Sequence, residues 1–226
     1  MLNRHCDSLI IILALSQLFT SPPLVLPVAA TAALRASLSA AAAHPTHVWR
    51  DTVPVNADGT INAFIEIPRG ERRKYELDIA RNERRVDRVM PESVGAYPVN
   101  DGFVPQTISY DGDPFDALVL GPALRGGELV RGAIVGIMHM EDEKGLDSKV
   151  VLSLTGPDGR RTHTLSDVEE QRIGDYFDRY KRHEPGKFSR VTSWGSRETA
   201  LAFVRITQRF FRECRVGPRA DCTIVP

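Results

Sequence analysis

The chain is predicted to fold as a single α+β domain, mainly β, over residues 44–226. Two patterns predict this. Apolar and polar side chains alternate in short runs through the first half, and apolar ones recur at helical spacing in two longer runs near the carboxyl end. No low-complexity linker or internal repeat interrupts the stretch, which is long enough to bury a sizeable core. Residues 1–43, rich in Ala and Pro, form a leader ahead of it.

The elements follow in order. From Ile61 to Pro68 a strand sets Ile61, Ala63, Ile65 and Ile67 on one face and sends Glu66 to the other, and Pro68 ends it. From Lys74 to Ile79 the same period puts Lys74, Glu76 and Asp78 on one face, with Tyr75, Leu77 and Ile79 on the core side. Two apolar runs, Ala117–Leu120 and Ala133–Met138, read as further strands, each carrying carboxylates at an end. Ser166 and Glu169 form a capping box that starts a helix with Ile173, Tyr176, Phe177 and Tyr180 along one face, which carries Tyr180 to the edge of the sheet structure. After Trp194, the positions Ala200, Phe203, Val204, Thr207 and Phe211 mark a second helix whose apolar stripe packs on the core.

Chemistry concentrates at Asp111-Gly112-Asp113-Pro114-Phe115-Asp116, three carboxylates in six residues. Like charges this close raise one another's pKa unless a cation holds them ionised, so the hexapeptide points to a metal site. It is not a calcium-binding EF-hand loop, because the twelfth position is Pro122 and the glycine is misplaced. A second acidic cluster, Glu141–Lys149, follows the next strand. His139, His163 and His183 match no ligand spacing, and Lys187 after Gly186 lacks the surroundings of a phosphate-binding loop.

Seven blocks then occur in a telling order: Ile65-Glu66-Ile67-Pro68, Lys74-Tyr75-Glu76, Val86-Asp87-Arg88, Tyr97-Pro98-Val99-Asn100, the acidic hexapeptide, Asp142-Glu143-Lys144-Gly145-Leu146-Asp147-Ser148-Lys149, and Tyr180-Lys181. In them the chain resembles the soluble family I inorganic pyrophosphatases. The resemblance implies a small OB-like five-stranded β-barrel flanked by helices, a homo-oligomer, and hydrolysis of pyrophosphate to two orthophosphates with several Mg2+ ions, for which Mn2+ or Zn2+ are possible substitutes. It assigns Asp111, Asp116 and Asp147 to a first metal, a share of Asp116 to a second, and Asp142 with Asp147 to a third. The same resemblance implies that Glu66 and Glu76 reach metals through water. Asp113 is implied as the general base, and Lys74, Arg88, Tyr97, Lys149, Tyr180 and Lys181 as the substrate-binding set. Both oxygen ligands for a hard cation and basic side chains for a polyanion suit that reaction.

One departure stands out. Where the family reads Asn-Tyr-Gly-Tyr, this chain has Asn100-Asp101-Gly102-Phe103, so a carboxylate replaces a tyrosine that helps bind phosphate. Asp101 either weakens substrate binding, recruits another cation or points away. Two alternatives therefore stay open beside an active pyrophosphatase: a hydrolase of another phosphoanhydride, nucleotide or polyphosphate, and an inactive anion-binding pseudoenzyme.

The first residues give the address. Arg4 and His5 precede the apolar segment Leu9–Leu15, and small-residue runs follow at Val28–Ala30 and Ala40–Ala43, the pattern of a secretory signal peptide. The expectation is a secreted or periplasmic protein, free of the membrane once the leader is removed; an uncleaved, membrane-anchoring leader is the alternative. Cys214 and Cys222 flank Gly217-Pro218, which can turn the chain back, and a disulfide between them is predicted, with two free thiols as the alternative. Lys plus Arg and Asp plus Glu both number 29, so the chain lacks the basic excess that a nucleic-acid partner requires, and none is expected.

Overall fold

The structure, a computed structural model, describes residues 46–216. The leader with its signal-peptide features, and Cys222, lie outside the described residues. In chain order the elements are α1 (Val48–Asp51), β1 (Ile61–Ile67), β2 (Arg73–Asp78), β3 (Glu83–Val89), β4 (Asn100–Phe103), β5 (Asp116–Leu120), β6 (Leu129–Asp142), β7 (Gly145–Leu146), β8 (Lys149–Leu154), α2 (Asp167–Phe177), β9 (Ser189–Gly195) and α3 (Arg197–Val216).

Strands β1, β4, β5, β8 and β6 bond in that order, and β6 returns to β1, closing a five-stranded OB-like barrel. The barrel is mixed because β5 and β8 run parallel while its other pairs are antiparallel. Closure removes sheet edges that would otherwise stand unpaired. β6 is 14 residues long and serves several neighbours. Bulges between Ile134 and Gly136, and between His139 and Met140, bend it so that its first part pairs with β1 and its last part carries β7 and β9. β2 and β3 form a separate two-stranded ribbon.

The barrel wall is apolar on both sides. Ile61, Ala63, Ile65, Ala117, Val119, Val150 and Leu152 join Ala200 and Val204 of α3, and Leu118, Leu120, Met138, Met140 and Val151 join Ile173, Tyr176 and Phe177 of α2. β1 therefore has no solvent face, contrary to the simple alternation read from its sequence. Phe64 packs on Phe103 with ring centroids 5.3 Å apart, and buried Asn62 donates to the Val53 carbonyl at 2.7 Å.

Two helix details differ from expectation. Ser166 caps α2 by accepting from the Glu169 N–H, but the Glu169 carboxylate is taken by Arg172, so the capping box is only half formed. α2 also ends at Phe177, and Tyr180 reaches its place in the following turn, not on the helix. In α3 four of the five predicted stripe positions, Ala200, Val204, Thr207 and Phe211, are buried, and the fifth, Phe203, packs partly buried against the same core.

Candidate active site

Each barrel strand delivers its chemistry at one end. Asn100 fixes the start of β4 with all four of its side-chain bonds: Oδ1 accepts from the Arg69 and Leu124 N–H groups, and Nδ2 donates to the Val119 and Pro122 carbonyls, at 2.9–3.0 Å. Next to it Gly102 permits β4 to press against β1, since a Cβ there would sit 1.8 Å from the Phe64 carbonyl oxygen. Asp101 and Phe103, flanking that glycine, face the same side, and Phe103 pairs with Asp116 across β5. On the other side Ile67 pairs with Asp101, and the adjoining bulge contains Glu66, which is thereby re-aimed inward.

The acidic hexapeptide is a clamped loop. The Thr107 hydroxyl accepts from the Phe115 N–H at 2.9 Å and donates to the Val104 carbonyl at 2.6 Å. The Asp111 carboxylate accepts from the Asp113 N–H at 3.1 Å, and Gly112 takes a positive φ of 90° that L side chains rarely adopt. Asp142 closes the tight β6–β7 turn by accepting from the Lys144 N–H at 2.7 Å. Parallel pairing of β5 and β8 sets Asp116 and Lys149 side by side at their starts.

These ends surround one cavity of about 790 Å³. All thirteen residues expected for metal, substrate and proton transfer line it: Glu66, Lys74, Glu76, Arg88, Tyr97, Asp111, Asp113, Asp116, Asp142, Asp147, Lys149, Tyr180 and Lys181. Asp101 lines it too, so it does not point away. The Lys149 ammonium donates to Asp116 and, at 2.9 Å, to Asp147. Lys181 donates to Asp142 at 2.5 Å and to Glu143 at 3.1 Å. On the ribbon, Lys74 donates to Glu76 at 2.5 Å, while Arg88 is held by Asp87 at 2.8 Å and lies 3.2 Å from Glu184. Nε of Arg88 is buried without a hydrogen-bond partner, and so is the Tyr97 hydroxyl. Glu143, Lys144 and Glu184 were not singled out from the sequence. Lys144 stands 3.5 Å from Asp113, and Glu184 meets Arg88 from the turns that follow α2.

The electrostatics are lopsided. Eleven carboxylates line the cavity against seven basic side chains. Burial first, and then neighbouring carboxylates, push Asp101, Asp111, Asp116 and Asp147 up to about 6, against the nearby charge of Lys149. Burial, with Asp116 and Asp101 beside it, raises Glu66 well above the carboxylate range. Burial opposes the charge on Lys149 too, yet Asp116 and Asp147 outweigh it and hold the ammonium well above its ordinary value. Asp142 goes the other way: burial works against it, but the bond from Lys181 wins and holds it low.

A set of hard oxygen donors that repel one another fits divalent cations. Among the described residues no three such side chains converge closely enough to hold an ion where they stand, since the Lys149 ammonium lies between Asp116 and Asp147.

Comparison with known proteins agrees with this geometry. Residues 63–212 match the family model described as inorganic pyrophosphatase. The inorganic pyrophosphatase of Saccharolobus solfataricus is 40% identical over 147 residues, covering 62% of this chain and 85% of that protein. That of Thermus thermophilus is 41% identical over 157 residues, covering 66% and 89%. The crystal structure of the Thermus thermophilus inorganic pyrophosphatase superimposes with a TM-score of 0.67 at 34% identity, covering 74% of this chain and 99% of that one, and the Coxiella burnetii inorganic pyrophosphatase with 0.65 at 36%, covering 71% and 99%. With the family model spanning most of the described barrel, the chain belongs to the soluble family I inorganic pyrophosphatases.

Proposed function

We propose that this pyrophosphatase hydrolyses pyrophosphate to two orthophosphates within the carboxylate-lined cavity, using Asp113 as general base and a basic clamp for the substrate. The carrying observation is the convergence of Asp111, Asp113, Asp116 and Asp147 with Arg88, Lys74 and Lys181 around one cavity. Arg88 offers its unpartnered Nε to a phosphoryl oxygen, while Asp87 and Glu184 hold its two terminal nitrogens and fix its plane. Lys74 and Lys181 act as point charges, and the Tyr180 hydroxyl donates to a substrate oxygen. Asp113, at the rim beside Lys144, takes the proton of the attacking water as its oxygen bonds to phosphorus, and the departing phosphate leaves against the basic side chains.

Asp111, Asp116, Asp142 and Asp147 would hold divalent cations, with Glu66 and Glu76 reaching them through water. Such ions neutralise phosphoryl oxygens and lower the pKa of the attacking water. Mg2+ suits an all-oxygen donor set that leaves room for waters, with Mn2+ or Zn2+ as substitutes. Orthophosphate release from pyrophosphate, measured with added Mg2+ and with EDTA and set against rates on ATP and tripolyphosphate, tests this reading. Fast release confined to pyrophosphate and metal is expected. Equal rates on the longer anhydrides would move the substrate class, and no release would support the pseudoenzyme.

Three further readings belong to the whole chain. Export rests on the basic, apolar and small-residue order of the leader, which lies ahead of the family segment; amino-terminal sequencing of protein from the extracytoplasmic fraction should find the leader gone. A Cys214–Cys222 disulfide rests on the turn-forming Gly217-Pro218, and thiol titration of unreduced, denatured protein should find neither thiol. A homo-oligomer rests on the family resemblance, and light scattering should return a multiple of 25.1 kDa less the leader.

A further inference from the structure

Asp101 has no place in the machinery just described, yet it stands at the centre of it. Its strand, β4, lies between β1 and β5, so Asp101 is flanked by Glu66 from the β1 bulge and by Asp116 from the start of β5. Asp116 is opposite Phe103, two residues along the same face from Asp101, a diagonal distance that longer side chains and hydrated ions span. Three adjacent strands thus direct three carboxylates into the same cavity, where Glu66, one oxygen of which accepts from the Leu77 N–H at 2.5 Å, feels the charge of both Asp116 and Asp101.

The nearby cations are engaged elsewhere. Lys149 is hydrogen-bonded to Asp116 and Asp147, and Lys74 to Glu76. Asp101 is left with no ion pair to a Lys or Arg among the described residues. A second observation points the same way. Tyr97 is 1% exposed, lines the same cavity with Asp101 in its field, and its hydroxyl has no hydrogen-bond partner. Even a bond to the neighbouring Tyr176 hydroxyl, also unpartnered, would leave one O–H without an acceptor. A buried donor beside an unpaired carboxylate is the lining expected for a hydrated cation, whose coordinated waters both accept and donate.

We propose that Asp101, with Glu66 and Asp116, forms an additional site for a hydrated divalent cation, one that depends on the carboxylate at position 101. The inference rests on the pyrophosphatase reading only in using the same cavity. The extra ion offsets the charge that Asp101 brings toward an anionic substrate, so a carboxylate at this position is compatible with turnover.

Mn2+ binding to the mature protein, followed by equilibrium dialysis and calorimetry, tests the site with wild type, Asp101→Asn and Asp101→Glu. The Asn variant keeps the shape and removes the charge. It should lose one bound Mn2+ or bind it at least about tenfold more weakly, with a smaller Mn2+-induced rise in Tm, and the Glu variant should recover part of that loss. Because removing a repelling carboxylate does not harm the metal-free fold, the apo Tm of the Asn variant should equal or exceed that of wild type. Identical Mn2+ stoichiometry and affinity in wild type and Asp101→Asn would overturn the proposal. Neither isotherm depends on turnover, so orthophosphate release by wild type reports separately on the catalytic reading.

Discussion

Lys149 and Lys181 are both buried lysines that bridge carboxylates, and their surroundings send those carboxylates in opposite directions. Lys181 meets Asp142 and Glu143 alone, and Asp142 is held low. Lys149 meets Asp116 and Asp147 in the company of Asp101, Asp111 and Glu66, and its partners are pushed up to about 6. One cation suffices for the first group and is outnumbered in the second. A buried ion pair is therefore not by itself a sign of either stability or function; the charge left over around it decides. The Lys181 corner is a charge-balanced pair, whereas the Lys149 corner is a set of carboxylates short of positive charge.

Breaking the function of the crowded corner while leaving its charge deficit largely in place gives the largest expected effect. Asp113→Asn should lower kcat by about 10²–10⁴-fold, the contribution of a positioned general base, with Mn2+ stoichiometry unchanged; steady-state kinetics beside dialysis checks both. Removing the cation of the balanced corner comes next. Lys181→Met leaves Asp142, whose side chain is 6% exposed, without its partner and should cost about 3–5 kcal/mol in denaturant unfolding of the metal-free protein. Lys149→Met should respond differently, because added Mg2+ replaces the missing charge: its loss of stability should be recovered with metal to a greater extent than that of Lys181→Met.

The pH dependence sharpens the contrast. A carboxyl raised in the folded state from 3.8 to about 6 stabilises the fold below pH 4 and loses that contribution as pH rises through 6. The metal-free protein should therefore lose Tm between pH 4 and 7, by at least about 5 °C, since the Asp147 carboxyl alone is pushed from 3.8 up to about 6. Divalent cations should abolish that fall, and their affinity, measured by calorimetry, should drop below pH 6 as protons compete. The Asp142 pair acts in the opposite sense, contributing above its ordinary range and fading only in stronger acid. The smallest effect belongs to Tyr97→Phe, which removes an unpartnered hydroxyl and should change metal-free stability by no more than about 1 kcal/mol, while weakening metal or substrate binding a few-fold.

Much of the site was legible in the sequence because its residues fall in short blocks at strand ends, where two-residue periodicity separates core from polar positions. Asp116 stands out as part of the acidic hexapeptide, and Glu66 as the one carboxylate in an apolar strand, although the bulge that aims Glu66 into the cavity has no mark in the sequence. Tyr180 was placed on the right cavity for an incomplete reason, since α2 stops at Phe177 and a turn brings the ring inward. Phe64 and Asn62 were not legible as buried, because Phe64 is covered by Trp49, Leu77, Phe103 and Phe211 from four other segments, and Asn62 by the turn that carries Val53 and Asn56, none of which the strand's own pattern encodes. Glu184 escaped for a similar reason: its partner Arg88 is on a distant strand.

The sequence by itself determined the family blocks, the helix stripe of α3 and the departure at Asp101, because these depend on residue type and local spacing. Only the tertiary structure decided which charges are satisfied. Barrel closure puts Asp101 between Glu66 and Asp116, gives Lys149 two carboxylates and gives Lys181 its own pair, and the balance of charge in a buried space depends on every strand that borders it.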